Sequence, residues 1–233
     1  MAKEIIKIEI GKSVAINLLV KDKIIADEII KDIKKGVNKA FAFFNNLGNI
    51  SFEIELIYSR EEFDKYLGEK TENWVIARSF ENKFIIFAPE EIEKCTSHKV
   101  SEFSQIVCHE TCHIFLQKIN QKFSFWMFEG IAVNVANQIK KGEVKKENIE
   151  YFINECLFKN PNYVEFISHQ GYLISYLLMK HFLDNYDKKV VMDLMTIEYT
   201  ENNSVEKQFC KVVNMKNGEV IGIVKKVLEN KKA

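Results

Sequence analysis

Proline is nearly absent, with two among 233 residues, and glycine is scarce at nine. Long disordered linkers draw on both, so none is expected. Net charge is absent too, since Lys and Arg together number 33 and so do Asp and Glu. A nucleic-acid footprint needs a clustered basic excess, so no nucleic-acid partner is expected. The longest early apolar run is Leu18-Leu19-Val20, with Ala15 and Ile16 just before it. That is shorter and more broken than the roughly 7–15-residue apolar core of a secretory signal. No segment approaches the roughly 20 apolar residues of a membrane span. The chain therefore reads as cytoplasmic, with no membrane partner. The five cysteines, Cys95, Cys108, Cys112, Cys156 and Cys210, are odd in number and not spaced as a disulfide framework. Reduced thiols are expected.

What is present is a large apolar fraction, 47% of the chain, enough for a sizeable core. The length suits one domain, 1–233, with segments 1–49, 50–118 and 119–233. Residues 1–10 alternate as a strand. Across 21–47, Ile25, Ile29, Ile33, Val37, Phe41 and Phe44 recur at helical spacing, with Gly48 as the stop. Ile50, Phe52, Ile54, Leu56 and Tyr58 alternate as a half-buried strand. A short helix follows from Ser59 or Arg60 to Leu67. Two strands, 74–80 and 83–88, turn at Glu81-Asn82, and Pro89 closes the second. From 101 onward the pattern is helical: 101–119, 127–140 ended by Gly142, 148–158, Tyr163 or Gly171 to 185, 188–197, 205–213 and 219–228. The expected class is α+β: a small mixed sheet followed by a mostly helical half.

His109-Glu110-Thr111-Cys112-His113 is an H-E-x-x-H sequence inside a predicted helix. Residues four apart share a helix face, so both imidazoles can reach one metal ion. Glu110 sits beside that face, where it can reach water without being a ligand. With five histidines and 26 glutamates in the chain, the motif arises by chance about once in a hundred such sequences. A catalytic zinc takes three protein ligands and keeps one position open. Glu129, sixteen residues after His113 in Phe125-Trp126-Met127-Phe128-Glu129-Gly130, is the candidate third. Residues 119–124 are polar enough for a turn. Small Ala132 and Ala136 share the face of Glu129 and favour close helix packing.

H-E-x-x-H followed by Trp126-x-x-Glu129-Gly130-x-Ala132 resembles the gluzincin, thermolysin-like metallopeptidases, and most of all their minimal bacterial peptidase MA-like members. The resemblance runs from about Ile50 to the C-terminus. It implies a zincin-like fold with an edge strand over the active-site helix. It also implies zinc held by His109, His113 and Glu129, with Glu110 as general base. The implied reaction is hydrolysis of a peptide bond by water activated at zinc. A peptide or protein substrate would lie along the strand that runs from Trp74 to Arg78. A Tyr or His donates to the oxyanion in such enzymes, and Tyr172 sits where the small members place a tyrosine. His169 is the rival donor, with Tyr163 and Tyr176 behind it. Many relatives carry an acid four residues after the ligand Glu; here that position is Val133, beside Asn134, so a partner orienting a ligand histidine is missing or comes from elsewhere. The Gly-x-Met-Glu-Asn element of the clan's aminopeptidases is also absent, which favours an endopeptidase.

Other readings of these residues are compatible with the sequence. One is a zinc-binding pseudoenzyme or binding module; Val133 favours it, while Glu110 counts against it because a structural site needs no such carboxylate. The other is a helical interaction protein with no metal. Cys108 and Cys112 are also four apart, but they precede the histidines by one residue and so point about 100° away. They read as packing residues. His98 and His181 read as surface or capping residues. The stretch with Lys140, Lys141, Lys145 and Lys146 reads as a solvated turn.

Overall fold

The computed structural model describes residues 3–21, 27–44, 47–200 and 204–230. The class is α+β, as expected: a five-stranded mixed sheet comes first, and the later chain is helical. The chain clusters into two compact units, residues 1–115 and 116–233.

In the first unit, β1 (Glu4–Ile10) and β2 (Val14–Val20) form an antiparallel hairpin. Its three-residue turn begins at Gly11, whose φ of 58° suits a residue without a Cβ. β3 (Ile50–Ile57) runs parallel to β2, and β5 (Lys83–Phe87) parallel to β3. β4 (Ala77–Phe80) pairs antiparallel with β5, giving the order β1-β2-β3-β5-β4 with β4 at an edge. Central strands buried on both faces lose the period-two pattern, and Ile54 to Ile57 are buried without a break. Helix α1 (Asp27–Phe44) buries Ile33, Val37, Ala40 and Phe44. Phe44 and Phe52 both meet Phe115 edge-on, and Phe52 stacks on Phe84. Helix α2 (Arg60–Leu67) is capped by Ser59, whose side chain accepts from the Glu62 amide, and ends at Gly68 with φ 73°. Helix α3 is Pro89–Cys95, and α4 is Phe103–Ile119. A Cβ on Gly36 of α1 would lie 2.6 Å from the carbonyl oxygen of Ser104 in α4, so glycine permits that approach.

The second unit carries α5 (Phe125–Val135), α6 (Lys146–Tyr151), α7 (Tyr163–Ser168), α8 (Gly171–Asn185), α9 (Lys188–Met195), α10 (Val205–Val213) and α11 (Asn217–Asn230). Its core gathers around buried Trp126, whose ring meets Phe152, Phe182 and Phe209. The indole N–H donates to the Leu157 carbonyl, so burial leaves no polar debt there.

Several boundaries differ from the sequence reading, each for a local reason. The strand β2 was not expected, because its apolar residues were weighed only as a candidate leader. The expected start of α1, including Ile25, falls in 22–26 and lies outside the described residues, as do Asn45 and Asn46; Gly48, with φ 71°, turns into β3. β4 begins at Ala77 rather than Trp74. The Val75 amide bonds back to Glu72, and the Asn73 carbonyl accepts from the Ser97 amide, so neither can serve the ladder. Pro89 does more than end a strand: it opens α3 at the first helical turn, where its missing N–H costs nothing. α5 stops at Val135 instead of 140. Asn137 takes a left-handed φ of 59°, and the Gln138 amide closes back on the Val133 carbonyl. Both expected starts, Tyr163 and Gly171, are real, because a break at Gln170 makes α7 and α8 separate helices. After α6 the chain makes one wider, π-helical turn, Phe152–Cys156.

Candidate metal centre

From Ile106 to Leu116 every residue of α4 is buried. An all-round buried helix ordinarily carries apolar residues, and Asp, Glu and Lys are rarely fully buried without a partner. Yet this stretch holds His109, Glu110, Thr111 and His113, none more than 8% exposed. Thr111 is settled locally, since its hydroxyl donates to the Val107 carbonyl at 2.7 Å. The histidines face one another: their Nε2 atoms lie 2.9 Å apart, with the rings at 87°. At that distance at least one nitrogen presents a lone pair to the other.

Glu110 meets the edge strand. The Ser79 hydroxyl of β4 donates to Oε2 of Glu110 in a short hydrogen bond, and it lies 3.4 Å from the Glu110 carbonyl oxygen. Sequence reasoning did not single out Ser79. The signal was there in the alternation of β4, where Ala77 and Ser79 are half-buried while Arg78 and Phe80 are exposed.

Glu129 lies on the first turns of α5 and is 6% exposed. The next residue explains why this helix sits deep in its own unit. A Cβ on Gly130 would come within 2.7 Å of the Ser175 carbonyl oxygen and 2.8 Å of the Met179 Cβ in α8. Asn134 reaches α8 as well, donating to the Tyr176 carbonyl at 3.1 Å and to the Gly130 carbonyl at 2.8 Å. Ala132, Val133 and Ala136 are fully buried.

Among the described residues, His109, His113 and Glu129 form a group able to hold a metal ion, with one ligand atom from each and all three atoms within 4.8 Å of one another. Two imidazoles and one carboxylate are a donor set whose number and type suit zinc.

The aromatic candidates are distributed as follows. The Tyr163 hydroxyl is 3.5 Å from Oε1 of Glu129 and 2.7 Å from the Tyr172 hydroxyl. Lys140 places its ammonium 5.7 Å from the centroid of the Tyr172 ring. His169 ends α7: its ring stacks on Tyr151 at 3.7 Å, and Nδ1 lies 2.8 Å from the Glu165 carbonyl oxygen. Tyr176 contributes its backbone carbonyl to Asn134. His98 bridges Glu102 and the Trp74 carbonyl, and His181 pairs with Asn185. Cys108 and Cys112 are both buried, and burial pushes the Cys112 thiol well above its ordinary range, which keeps it neutral.

No family model matches the chain, and no curated protein does. Among solved structures it is similar to an M1 zinc metallopeptidase from Deinococcus radiodurans, at 9% identity and a TM-score of 0.48. The match covers 98% of this chain and 51% of the other, so the chain spans about half the length of that protein. A likeness this distant carries no argument about activity. No helix among the described residues is long and apolar enough to cross a membrane.

Proposed function

We propose that the chain is a zinc-dependent peptidase, with His109, His113 and Glu129 as the protein ligands of one zinc ion. The observation that carries this reading is the buried group of two imidazoles and one carboxylate, each with a ligand atom near the others. Three ligands leave a position open, the arrangement of catalytic rather than structural zinc. When bound, zinc supplies a Lewis acid that polarises a carbonyl and makes water acidic enough to react at neutral pH.

The chain's own residues do the rest. Glu110 accepts the proton of the attacking water and passes it to the leaving amine. Ser79 holds one oxygen of that carboxylate, which leaves the other free to take the proton. A peptide laid along the edge strand β4 would pair with main-chain groups that β5 does not use, a recognition mode that reads backbone before side chains. Tyr172 donates a hydrogen bond to the oxyanion. An endopeptidase is favoured, because the aminopeptidase element is missing from the sequence.

Elemental analysis of protein purified without added zinc tests the metal. One zinc per chain is expected in the wild type, and far less in His113→Ala. Equal zinc in the two proteins would defeat the ligand assignment. Bound zinc without cleavage of a diverse peptide library would turn the reading into that of a zinc-binding pseudoenzyme.

A further inference from the structure

Tyr163 opens α7 and Tyr172 stands second in α8, nine positions apart in sequence. The corner between the helices brings them together. Gln170 takes a left-handed conformation there, φ 60°, and its side chain braces the segment that leads into α6. Its Oε1 accepts from the Lys145 amide and from Asn148, and its Nε2 donates to the Glu143 carbonyl. Gly171 follows, where a Cβ would lie 2.4 Å from the Phe166 carbonyl oxygen, so only glycine lets α8 start so close to α7. The phenol oxygens of Tyr163 and Tyr172 then meet at 2.7 Å.

Tyr163 also packs against α5. Its ring lies edge-on to Phe125, the first residue of that helix, at 5.5 Å and 78°. Its hydroxyl reaches Oε1 of Glu129, one turn further along, at 3.5 Å, the outer edge of hydrogen bonding. Such contacts at reacting centres commonly tighten as the site closes on its substrate.

We propose that Tyr163 is a positioning residue whose phenol oxygen links the carboxylate of Glu129 to the phenol of Tyr172. The inference rests on the reading of Glu129 as a zinc ligand. The donor order follows from the groups themselves. An ionised carboxylate only accepts, so Tyr163 donates to Glu129; its one proton is then committed, and it accepts from Tyr172. The chain runs Tyr172 to Tyr163 to Glu129, with its charged end at the carboxylate of Glu129. In this arrangement Tyr172 keeps its proton on Tyr163 until an oxyanion competes for it. Tyr163 thereby serves two groups: it fixes the orientation of the ligand carboxylate and it holds the oxyanion donor in place.

Two phenylalanine variants separate these roles. Both keep the ring and its packing, and circular dichroism checks the fold. Zinc affinity is measured by competition with a chelator, and turnover on a peptide that the wild type cleaves. Tyr163→Phe is expected to weaken zinc binding by about tenfold, the lower end of the usual cost of losing a partner of a metal ligand. It should also lower kcat by about tenfold with KM little changed. Tyr172→Phe should lower kcat by about 10²–10³-fold, with zinc affinity as in the wild type. Val164→Ala, at an exposed position on the same helix, is the control and should match the wild type in both measurements. Unchanged zinc affinity in a folded Tyr163→Phe overturns the inference and leaves the peptidase reading standing. A wild type that binds no zinc overturns both, and that failure shows in the parent protein before any variant is made.

Discussion

At the residue scale the question is why polar groups sit inside an otherwise apolar helix. Thr111 is satisfied by its own helix and Glu110 by Ser79, whereas His109 and His113 turn their Nε2 atoms toward each other. Two such nitrogens facing one another are donors that a cation could take up. In the proposed reaction Glu110 has a separate task, and one substitution isolates it. Glu110→Gln keeps the shape and can still accept from Ser79, but an amide cannot take a proton from water. Zinc content should stay at the wild-type level while peptide hydrolysis falls to background; cleavage at the wild-type rate would remove Glu110 from the mechanism. The cysteines supply the contrasting case. Cys108 and Cys112 share the helix with the histidines but not their face, and the neutral, buried Cys112 thiol packs as a small apolar group. The Cys108→Ala/Cys112→Ala double variant should keep its zinc and lose about 1–3 kcal/mol of stability to the cavities left behind. Zinc lost from a double variant that remains folded would show that the thiols take part in the metal site. The H-E-x-x-H spacing made the pairing of His109 with His113 legible in the sequence, because a period of 3.6 residues converts a spacing of four into a shared face. Ser79 and Tyr163 were not legible as partners, since each meets its target across more than thirty residues of chain.

At the scale of elements, legibility followed the strength of the local pattern. β3, β5, α2, α4 and α9 to α11 were expected close to where they lie, because each carries a clear period or a capping residue. β2 and α3 were missed for opposite reasons. β2 is a short apolar run with no polar alternation strong enough to announce a strand, and it becomes one through pairing on both sides, with β1 and β3. α3 begins with a proline, which reads as a strand stop until its helical neighbours are seen. The end of α5 was set by a left-handed residue, Asn137, rather than by loss of the apolar period. Helix packing depends on glycines whose role is invisible in sequence. Gly130 adjoins Glu129 and faces α8 so closely that a methyl group would collide with backbone at Ser175, which has no rotamer by which to yield. Gly130→Ala should therefore destabilise the protein by about 1–3 kcal/mol, despite the better helix propensity of alanine. Urea denaturation measures it. An unchanged or raised midpoint would mean that α5 and α8 can separate at little cost, which would also loosen the footing of Glu129.

At the scale of the whole molecule, charges balance in number, and one buried cluster converts that balance into a dependence on pH. Glu55 of β3 is 6% exposed and accepts from Lys3, just before β1, and from Lys83 at the start of β5. Lys3 also reaches Glu62 in α2 at 2.8 Å. One carboxylate thus ties together chain segments far apart in sequence. Burial by itself would raise the pKa of Glu55, but the hydrogen bonds from Lys3 and Lys83 outweigh it and hold the carboxyl below its ordinary value. Burial likewise works against the charged form of both lysines, and it is outweighed by Glu55 and Glu62 at Lys3 and by Glu55 and Tyr66 at Lys83, so both are raised. A depressed acid stabilises the fold fully above its unfolded pKa of about 4.3, and the contribution is lost as pH falls through the folded value. Raised lysines contribute fully below about 10.4, and theirs is lost as pH rises through their folded values. The cluster should therefore stabilise the protein evenly between these limits and fail in acid and in strong base. Glu55→Gln should cost about 1–3 kcal/mol at pH 7, the penalty of leaving partly buried charges without their counter-ion. Urea denaturation of both proteins at pH 7, 5 and 3.5 measures the gap. Chelator is added throughout, so that any bound metal does not contribute to the comparison. The gap should hold from pH 7 to 5 and narrow clearly at pH 3.5, below the ordinary pKa of an unfolded glutamate, where a lowered carboxyl starts to lose its contribution. A gap as wide at pH 3.5 as at pH 7 would show that the variant suffers from altered packing rather than from the loss of charge at Glu55.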